Sequence, residues 1–284
     1  MSTAKPIILI LRPQQHFAIV AAELKRVTAL GQYMIVEGTV RSEHLGATDA
    51  LRPLAVLCEE LLPGSLYVRY ANKKLFRHEK DFWATTDSSI KTYVKRMTDR
   101  RLLEAVRLAQ HCGVPVLYAP TADAPLHITE QLQLTEGIDV RPMMSFSRHD
   151  QGTTYRLQLR IGDEQVVTPA EHRLAVLTHE PGMFVLDGSI YCLGDGFSGK
   201  LLLPFVTKTA VAIPRKMENE YFRKFILRNV SKAEVYAEGF DIADTGAPPQ
   251  PRLLVGWSID GRQLLSLRFR YGSTDYAPDT MSNG

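Results

Sequence analysis

The stretch that decides the fold is LLVGWSIDGRQLLSLRFRY, residues 253–271. Apolar residues fill every second position on both sides of Asp260-Gly261: Val255, Trp257, Ile259, Leu265, Leu267, Phe269 and Tyr271. Asp-Gly supplies the two positive-φ residues of a tight type I′ turn. The pattern predicts an antiparallel hairpin whose second face carries Arg268 and Arg270. The chain then becomes polar, so we expect a domain to finish near residue 278 and the part that should follow it to be absent.

Two further hairpins are predicted upstream of this one. Their strands and turns are Tyr155–Ile161 with Gln165–Thr168 around Gly162-Asp163, and Met183–Leu186 with Ser189–Leu193 around Asp187-Gly188. One amphipathic helix, Glu218–Ser231, interrupts this part of the chain. The second half of the sequence therefore reads as mainly antiparallel sheet.

The first half mixes helix and strand signals. The predicted strands are Ile7–Leu11, Phe17–Leu24, Tyr33–Val40, Ser65–Tyr70 and Val114–Tyr118; the predicted helices are Ala50–Leu62, Asp87–Met97 and Thr98–Gly113. Phe17–Leu24 also suits a helix, because its last four residues favour one. In the last helix Leu102, Val106 and Ala109 form a stripe that should be buried.

These elements predict an α+β protein, in which a mixed α/β N-terminal part precedes a mainly antiparallel β-sheet part with one amphipathic helix. Three prolines between Ala119 and Pro142 indicate an irregular connection. We expect a mixed α/β domain at residues 1–125, a linker at 126–152 and an antiparallel β-rich domain at 153–278.

Composition places the chain among ordinary globular proteins. Its 284 residues are 45% apolar and 23% charged, with a net charge of +3, so a core can form without disulfide bonds. The three cysteines, Cys58, Cys112 and Cys192, lie far apart among apolar neighbours, which suggests reduced thiols in the cytoplasm. Ile7–Leu11 is too short for a secretion signal, and no apolar run is long enough for a membrane span.

A glycine-rich loop at Gly194–Lys200, GDGFSGK, matches most of a Walker A phosphate loop. The position after the lysine should be Ser or Thr, whose hydroxyl binds magnesium, but it is Leu201. The loop also follows a hairpin instead of joining a parallel strand to a helix. We interpret it as a surface turn with a solvated Lys200.

No catalytic or metal-binding set is predicted in this chain. The eight histidines do not cluster, and no cysteine or carboxylate recurs at ligand spacing. Gly196–Gly199 falls short of a nucleophile elbow. The sequence therefore gives no catalytic residue, no metal ligand and no cofactor site.

Basic residues form the more informative groups. The candidates for contact with DNA are Lys91, Lys95, Arg96, Arg100, Arg101, Lys224 and Arg228; the first five cluster with Arg107 across the two predicted helices, and Lys73, Lys74, Arg77 and Lys80 lie among Tyr70, Phe76, Phe82 and Trp83. Basic stripes with nearby aromatic residues suit a phosphate backbone. The commoner alternative, a solvated charged face, stays open.

One series of short motifs carries a family resemblance. It runs through Gly199-Lys200-Leu201, Leu203-Pro204-Phe205, Lys208, Ile213-Pro214, Glu220-Tyr221-Phe222, Lys224-Phe225-Ile226 and Val235–Phe240, and it closes with Leu267–Gly272. This series resembles the N-terminal, non-motor region of bacterial Swi/Snf-type helicase-like ATPases, especially those of Bacteroidetes. The resemblance covers most of the chain and is strongest over residues 153–272.

The resemblance implies a non-catalytic accessory region of a DNA translocase. The family's motor carries a true Walker A loop and a DEAH-like box, neither of which occurs in this sequence, so ATP and magnesium are expected only for a downstream motor in cis. The implied partners are that motor and duplex DNA, and the implied role is DNA engagement or motor regulation. Two alternatives stay open: an interaction or scaffold module without DNA binding, and an enzyme of unrecognised type, which would need a deep pocket with convergent polar groups.

Overall fold

The computed structural model describes residues 6–14, 19–72, 74–194, 196–222, 233–239, 250–257, 263–271 and 274–276. The chain divides after Glu238 into two compact units. Helices combine with mixed and antiparallel sheets, which confirms the predicted α+β class. No helix within the described ranges is both long and apolar enough to cross a membrane.

A five-stranded sheet organises the beginning of the first unit. Its strands are β1 (Ile7–Gln14), β2 (Ile19–Leu30), β3 (Gln32–Thr39), β4 (Val116–Tyr118) and β5 (Leu126–His127). The order across the sheet is β4-β1-β2-β3-β5; β4 runs parallel to β1, and the other pairs are antiparallel. The helical alternative for Phe17–Leu24 is wrong for its described part, because that part pairs with β1 residue by residue.

Helices connect β3 to β4 and cover one face of this sheet. They are α1 (Arg52–Glu60), α2 (Pro63–Tyr70), α3 (Glu79–Thr85) and α4 (Ser88–His111). The predicted stripe Leu102, Val106 and Ala109 is fully buried and joins one core with Leu9 and Leu24 of the sheet. Each buried leucine contributes about 2 kcal/mol of transfer free energy, so this face holds α4 on the sheet.

The structure corrects two predicted elements of the N-terminal part. Ser65–Tyr70, predicted as a strand, belongs to the helix α2, because Pro63 occupies the first helical turn and burial at Leu66, Tyr67 and Tyr70 has helical spacing. The two helices predicted at 87–97 and 98–113 form the single helix α4. Thr98, the expected second cap, is buried inside it and donates its hydroxyl to the Lys95 carbonyl at 2.9 Å.

Two further sheets complete the first unit. Their strands are β6 (Gln133–Leu134), β7 (Val140–His149), β8 (Gly152–Ile161), β9 (Gln165–Val167), β10 (Leu174–Val176), β11 (Met183–Leu186), β12 (Ser189–Cys192), β13 (Val211–Pro214) and β14 (Glu234–Glu238). One sheet has the order β10-β11-β12-β6, and the other has the order β13-β8-β7-β14 with β9 paired to β8. Both predicted hairpins are confirmed: β8 pairs with β9, and β11 pairs with β12 through Asp187 and Gly188 at φ 46° and 87°.

The stretch 126–152 is not irregular, although its prolines predicted a connection. It contains β5, β6 and β7, and Leu132 within it belongs to a hydrophobic core that also includes Leu9 and Ile190. Side chains from both sides of the predicted boundary therefore share one core. The division into domains at residues 1–125 and 153–278 stays a prediction.

The helix predicted at Glu218–Ser231 begins where expected. Its described part is α5 (Glu218–Tyr221), in which the Glu218 carboxylate is buried and accepts from the Thr153 hydroxyl at 2.9 Å. Residues 223–232 lie outside the described residues, and with them Lys224 and Arg228.

The second unit contains the hairpin that was predicted at residues 253–271. Its strands are β15 (Gln250–Trp257), β16 (Gln263–Tyr271) and β17 (Thr274–Tyr276), in that order. A two-residue turn at Asp260-Gly261 would pair Trp257 with Leu264, but Trp257 pairs with Gln263. The register is thus offset by one residue from the prediction, and it pairs Leu253 with Leu267, apolar position with apolar position.

Candidate functional site

Helix α4 brings together the five candidate DNA contacts that the structure describes: Lys91, Lys95, Arg96, Arg100 and Arg101. They share a helix but not a face. At about 100° per residue, Arg96 and Arg100 lie opposite the buried stripe, whereas Lys91 and Lys95 lie in line with it, nearer the start of the helix. Arg107, three turns beyond Arg96, projects on the same solvent side. The helix therefore does not present these five basic residues on one continuous face.

Four of the five candidates contact an acceptor within the chain. The contacts are Lys91 Nζ to the Ala84 carbonyl at 3.3 Å, Lys95 Nζ to Asp99 at 3.1 Å, Arg96 to Glu180 at 2.8 Å, and Arg101 to Glu104 at 2.8 Å. The Glu104 hydrogen bond raises the pKa of Arg101. Arg100 is exposed and has no ion pair within the described ranges. Carboxylates on the same helix, and for Arg96 one that is distant in sequence, thus offset much of the positive charge of these residues.

Two of the aromatic residues near Lys74, Arg77 and Lys80 do not serve as a stacking platform. Phe82 and Trp83 are buried, with ring centroids 4.5 Å apart, and the Trp83 indole N–H donates to Glu79 at 3.1 Å. Their π faces are used in a core that also contains Leu66 and Val94. The rings of Phe82 and Trp83 are therefore not accessible for stacking with nucleic-acid bases.

The glycine-rich loop lacks the geometry of a phosphate loop. Gly199–Leu201 is a single 3₁₀ turn, and the Ser198 hydroxyl accepts from the Lys200 N–H at 3.3 Å. A Cβ atom on Gly199 would lie 2.1 Å from the Thr178 carbonyl oxygen, so glycine allows a close backbone approach here. Lys200 is exposed, as the interpretation of a surface turn expects.

A buried carboxylate on α4 is a feature that the sequence did not reveal. Asp99 is 2% exposed and accepts from the backbone N–H groups of His179 and Glu180 at 2.7 and 3.2 Å. Lys95 Nζ completes its contacts at 3.1 Å. Burial raises the pKa of Asp99, while Lys95 and the two N–H groups favour the charged form. Asp99 therefore fixes the loop 178–181 against the helix.

His179 lies in the same junction and is held in its neutral form. Burial, reinforced by the nearby charges of Lys95 and Lys200, lowers the pKa of His179 to about 4. Its Nδ1 atom is buried and finds no hydrogen-bond partner within the described ranges. Protonating this ring in the folded state would place a third positive charge beside the two lysines.

Acid is expected to destabilise the protein through His179. The unfolded chain takes up this proton near pH 6.5, whereas the folded chain does so near pH 4, so stability falls as the pH drops between these values. With a discount for partial exposure, we expect a loss of about 1–2 kcal/mol between pH 7 and pH 4. Urea unfolding at pH 7, 5.5 and 4 measures it.

The matched variant for this measurement is His179→Gln, which keeps a polar side chain but does not titrate. Because Asp99 is present in both proteins, its own titration cancels in the comparison. The variant should lose less stability than the parent chain on acidification. Equal losses in the two proteins would show that His179 does not carry the effect.

Apolar side chains are exposed on the hairpin formed by β2 and β3. Met34, Ile35 and Val36 are 50%, 46% and 40% exposed. Within the described strands, β5 pairs with β3 only at Gln32 and Tyr33, so the edge beyond them is open. The pairing of β2 with β3 also shifts register between Lys25 and Val27, which is the geometry of a β-bulge. Successive strand residues point to opposite faces, so Met34 and Ile35 expose apolar surface on both sides of this open edge, which suits a contact surface.

A cavity of about 570 Å³ lies beyond the carboxyl end of β4. Three separate segments line it, around Tyr118–Leu132, Arg173–Ala175 and Val185–Gly188. In the part of the chain that the structure describes, no three histidine, cysteine or acidic side chains converge as metal ligands. Cys58 is buried, which raises the pKa of its thiol to about 12 and disfavours the reactive thiolate.

Comparison with known proteins identifies no relative of this chain. It matches no protein-family model, no curated protein and no solved structure. The functional argument therefore starts from the residues and surfaces described above.

Proposed function

We propose that this chain is a non-catalytic accessory region of a bacterial Swi/Snf-type DNA-dependent ATPase, a helicase-like DNA translocase, and that it acts by docking on the ATPase motor in cis. The motif series from Gly199 to Gly272 supports this parentage. ATP and magnesium would bind the motor, and this chain would contribute no catalytic residue. The three free cysteines suit a protein that works in the cytoplasm.

The observation that carries the docking role is the exposed apolar run on β3. Single exposed apolar residues are ordinary on protein surfaces, whereas larger exposed apolar patches are a recurring mark of interfaces. The pairing of β1 with β2 ends at Arg26, so Met34 and Ile35 extend beyond the body of the sheet. A motor lobe that covered Met34, Ile35 and Val36 would remove their apolar surface from water, at about 25 cal/mol per Å².

The test is the DNA-stimulated ATPase rate of the parent protein. The triple variant Met34→Gln/Ile35→Thr/Val36→Thr keeps strand-compatible residues and removes the apolar surface. We expect it to lower the stimulated rate at least about three-fold, because a lost contact of about 0.7 kcal/mol or more has that effect, while the melting temperature stays within about 2 °C.

The control is Val68→Thr, which changes a single apolar side chain that is 62% exposed on α2. Its rate should equal that of the parent protein. A parent polypeptide without an ATPase motor would remove the proposal entirely. An unchanged DNA-stimulated ATPase rate in the triple variant would contradict the proposed docking role.

Direct engagement of duplex DNA is the second candidate role. It is favoured by the common solvent side of Arg96, Arg100 and Arg107 on α4. Arg96 and Arg107 form exposed ion pairs worth at most about 1 kcal/mol, with which a phosphate backbone can compete. Lys224 and Arg228 belong to the same hypothesis. A mobility-shift titration at low salt that detects no duplex binding would rule this role out.

A further inference from the structure

The cavity beyond β4 has the size and composition of a small-molecule site. Its volume of about 570 Å³ falls within the usual range of ligand pockets. Its floor is apolar, since Leu132, Leu174 and Val185 are each less than 9% exposed. The position also suits a ligand, because β4 runs parallel to β1 and ligands collect at the carboxyl ends of parallel strands.

Polar groups reach this cavity from two sides. Tyr118 stands at the end of β4, and its burial raises the pKa of its phenol, which therefore stays a neutral hydrogen-bond donor. On the other side, the Asp187 carboxylate accepts from the Arg173 N–H at 2.9 Å and lies 2.5 Å from His172 Nδ1. These hydrogen bonds lower the pKa of Asp187 and fix the backbone from which the Arg173 side chain extends.

The Arg173 guanidinium is anchored weakly in this arrangement. Its side chain is 82% exposed, and both terminal nitrogens contact the same oxygen of Glu130, at 3.2 and 3.1 Å. A guanidinium gains most when two nitrogens face two oxygens of one anion. An exposed pair such as this one contributes at most about 1 kcal/mol, so a ligand anion can displace Glu130.

We infer that this cavity binds a small organic anion, with an apolar body on the floor of Leu132, Leu174 and Val185 and a carboxylate or phosphate group on Arg173. The binding site is independent of the docking and DNA roles proposed above. Glu130 acts as a resident competitor that occupies Arg173 when the ligand is absent. The apolar floor selects the body of the ligand, and the guanidinium selects its charge.

The experiment uses three probes of similar size: benzoate, phenyl phosphate and uncharged benzamide. Ligand-observed NMR titrations of the full chain measure each dissociation constant. At the efficiency of small ligands, the preferred anion should bind at about 1–10 mM. We expect at least one anion to bind five-fold or more tightly than benzamide, and the comparison of the two anions distinguishes a carboxylate site from a phosphate site.

Two substitutions should shift anion binding in opposite directions. Arg173→Gln should reduce it to the level of benzamide, and Glu130→Gln should strengthen it about two-fold or more by removing the competing carboxylate. Arg141→Gln, which alters another exposed ion pair, the one with Asp139, is the control and should change nothing. Equal binding of all three probes, no binding of any, or a Glu130→Gln variant that binds anions less tightly would overturn the inference.

Discussion

Replacing Asp99 with alanine is expected to lower the free energy of unfolding by about 3–5 kcal/mol. The substitution leaves the buried N–H groups of His179 and Glu180 without their acceptor. It also leaves Lys95, whose side chain is 15% exposed, without its carboxylate. Removing one member of a buried group of charged and polar partners lowers stability by more than the whole group contributes, because the remaining partners stay buried without their hydrogen bonds.

Two companion variants make this measurement specific. Asp99→Asn keeps one acceptor oxygen but turns an amide donor toward Lys95 or an N–H group, so we expect an intermediate loss of about 1–3 kcal/mol. Glu104→Ala removes the exposed partner of Arg101 on the same helix and should cost no more than about 0.5 kcal/mol. Urea unfolding at pH 7 ranks the three. A loss below 1 kcal/mol for Asp99→Ala would mean that α4 does not hold the loop 178–181.

Local turn and strand chemistry explains why the hairpins were predictable. Asp187-Gly188 adopts the positive-φ pair that a type I′ turn requires, and the alternating residues around it settle the pairing of β11 with β12. The stripe Leu102, Val106 and Ala109 was readable for the same reason, since helical periodicity is a local property. In the final hairpin the same turn signal gave the strands correctly but placed the register one residue off, because register also follows how apolar positions match across the strands.

Short segments were predicted less well, because their pattern fits more than one structure. Ser65–Tyr70 alternates like a strand, but its apolar residues Leu66, Tyr67 and Tyr70 also have helical spacing. Packing of these side chains against α3 favours the helix. Thr98 has the chemistry of a helix cap, but burial on the sheet keeps it inside α4. In both cases a tertiary contact overrides a weak local preference.

The candidate surfaces depend on contacts that no local pattern contains. Arg96 and Glu180 are 84 residues apart in sequence, and Arg107 and Glu136 are 29 apart, so the sequence shows the basic charge but not its partners. Asp99 reads as an ordinary exposed partner of Lys95 one turn away, whereas the fold buries it. The cavity likewise forms only when three distant segments meet.

Replacing Gly199 with alanine is expected to lower the free energy of unfolding by about 3 kcal/mol. The new methyl group would lie 2.1 Å from the Thr178 carbonyl oxygen and 3.2 Å from Val176 Cγ1. The first contact is with backbone, which cannot rotate away as a side chain can. The Gly199 N–H also donates to the His179 carbonyl at 3.0 Å, so moving the turn outward would break that hydrogen bond.

Two control variants separate this packing role from a role in phosphate binding. Gly46→Ala introduces a Cβ atom with nothing within 4 Å, so it should be neutral or slightly stabilising, by about 0.5 kcal/mol. Lys200→Ala removes the exposed lysine of the motif and should change stability by less than about 0.5 kcal/mol. Thermal unfolding with and without ATP completes the comparison, and we expect no shift with ATP. If ATP raised the melting temperature and Lys200→Ala abolished that rise, the glycine would serve a phosphate after all, because a ligand that binds the folded chain must stabilise it in proportion to its affinity.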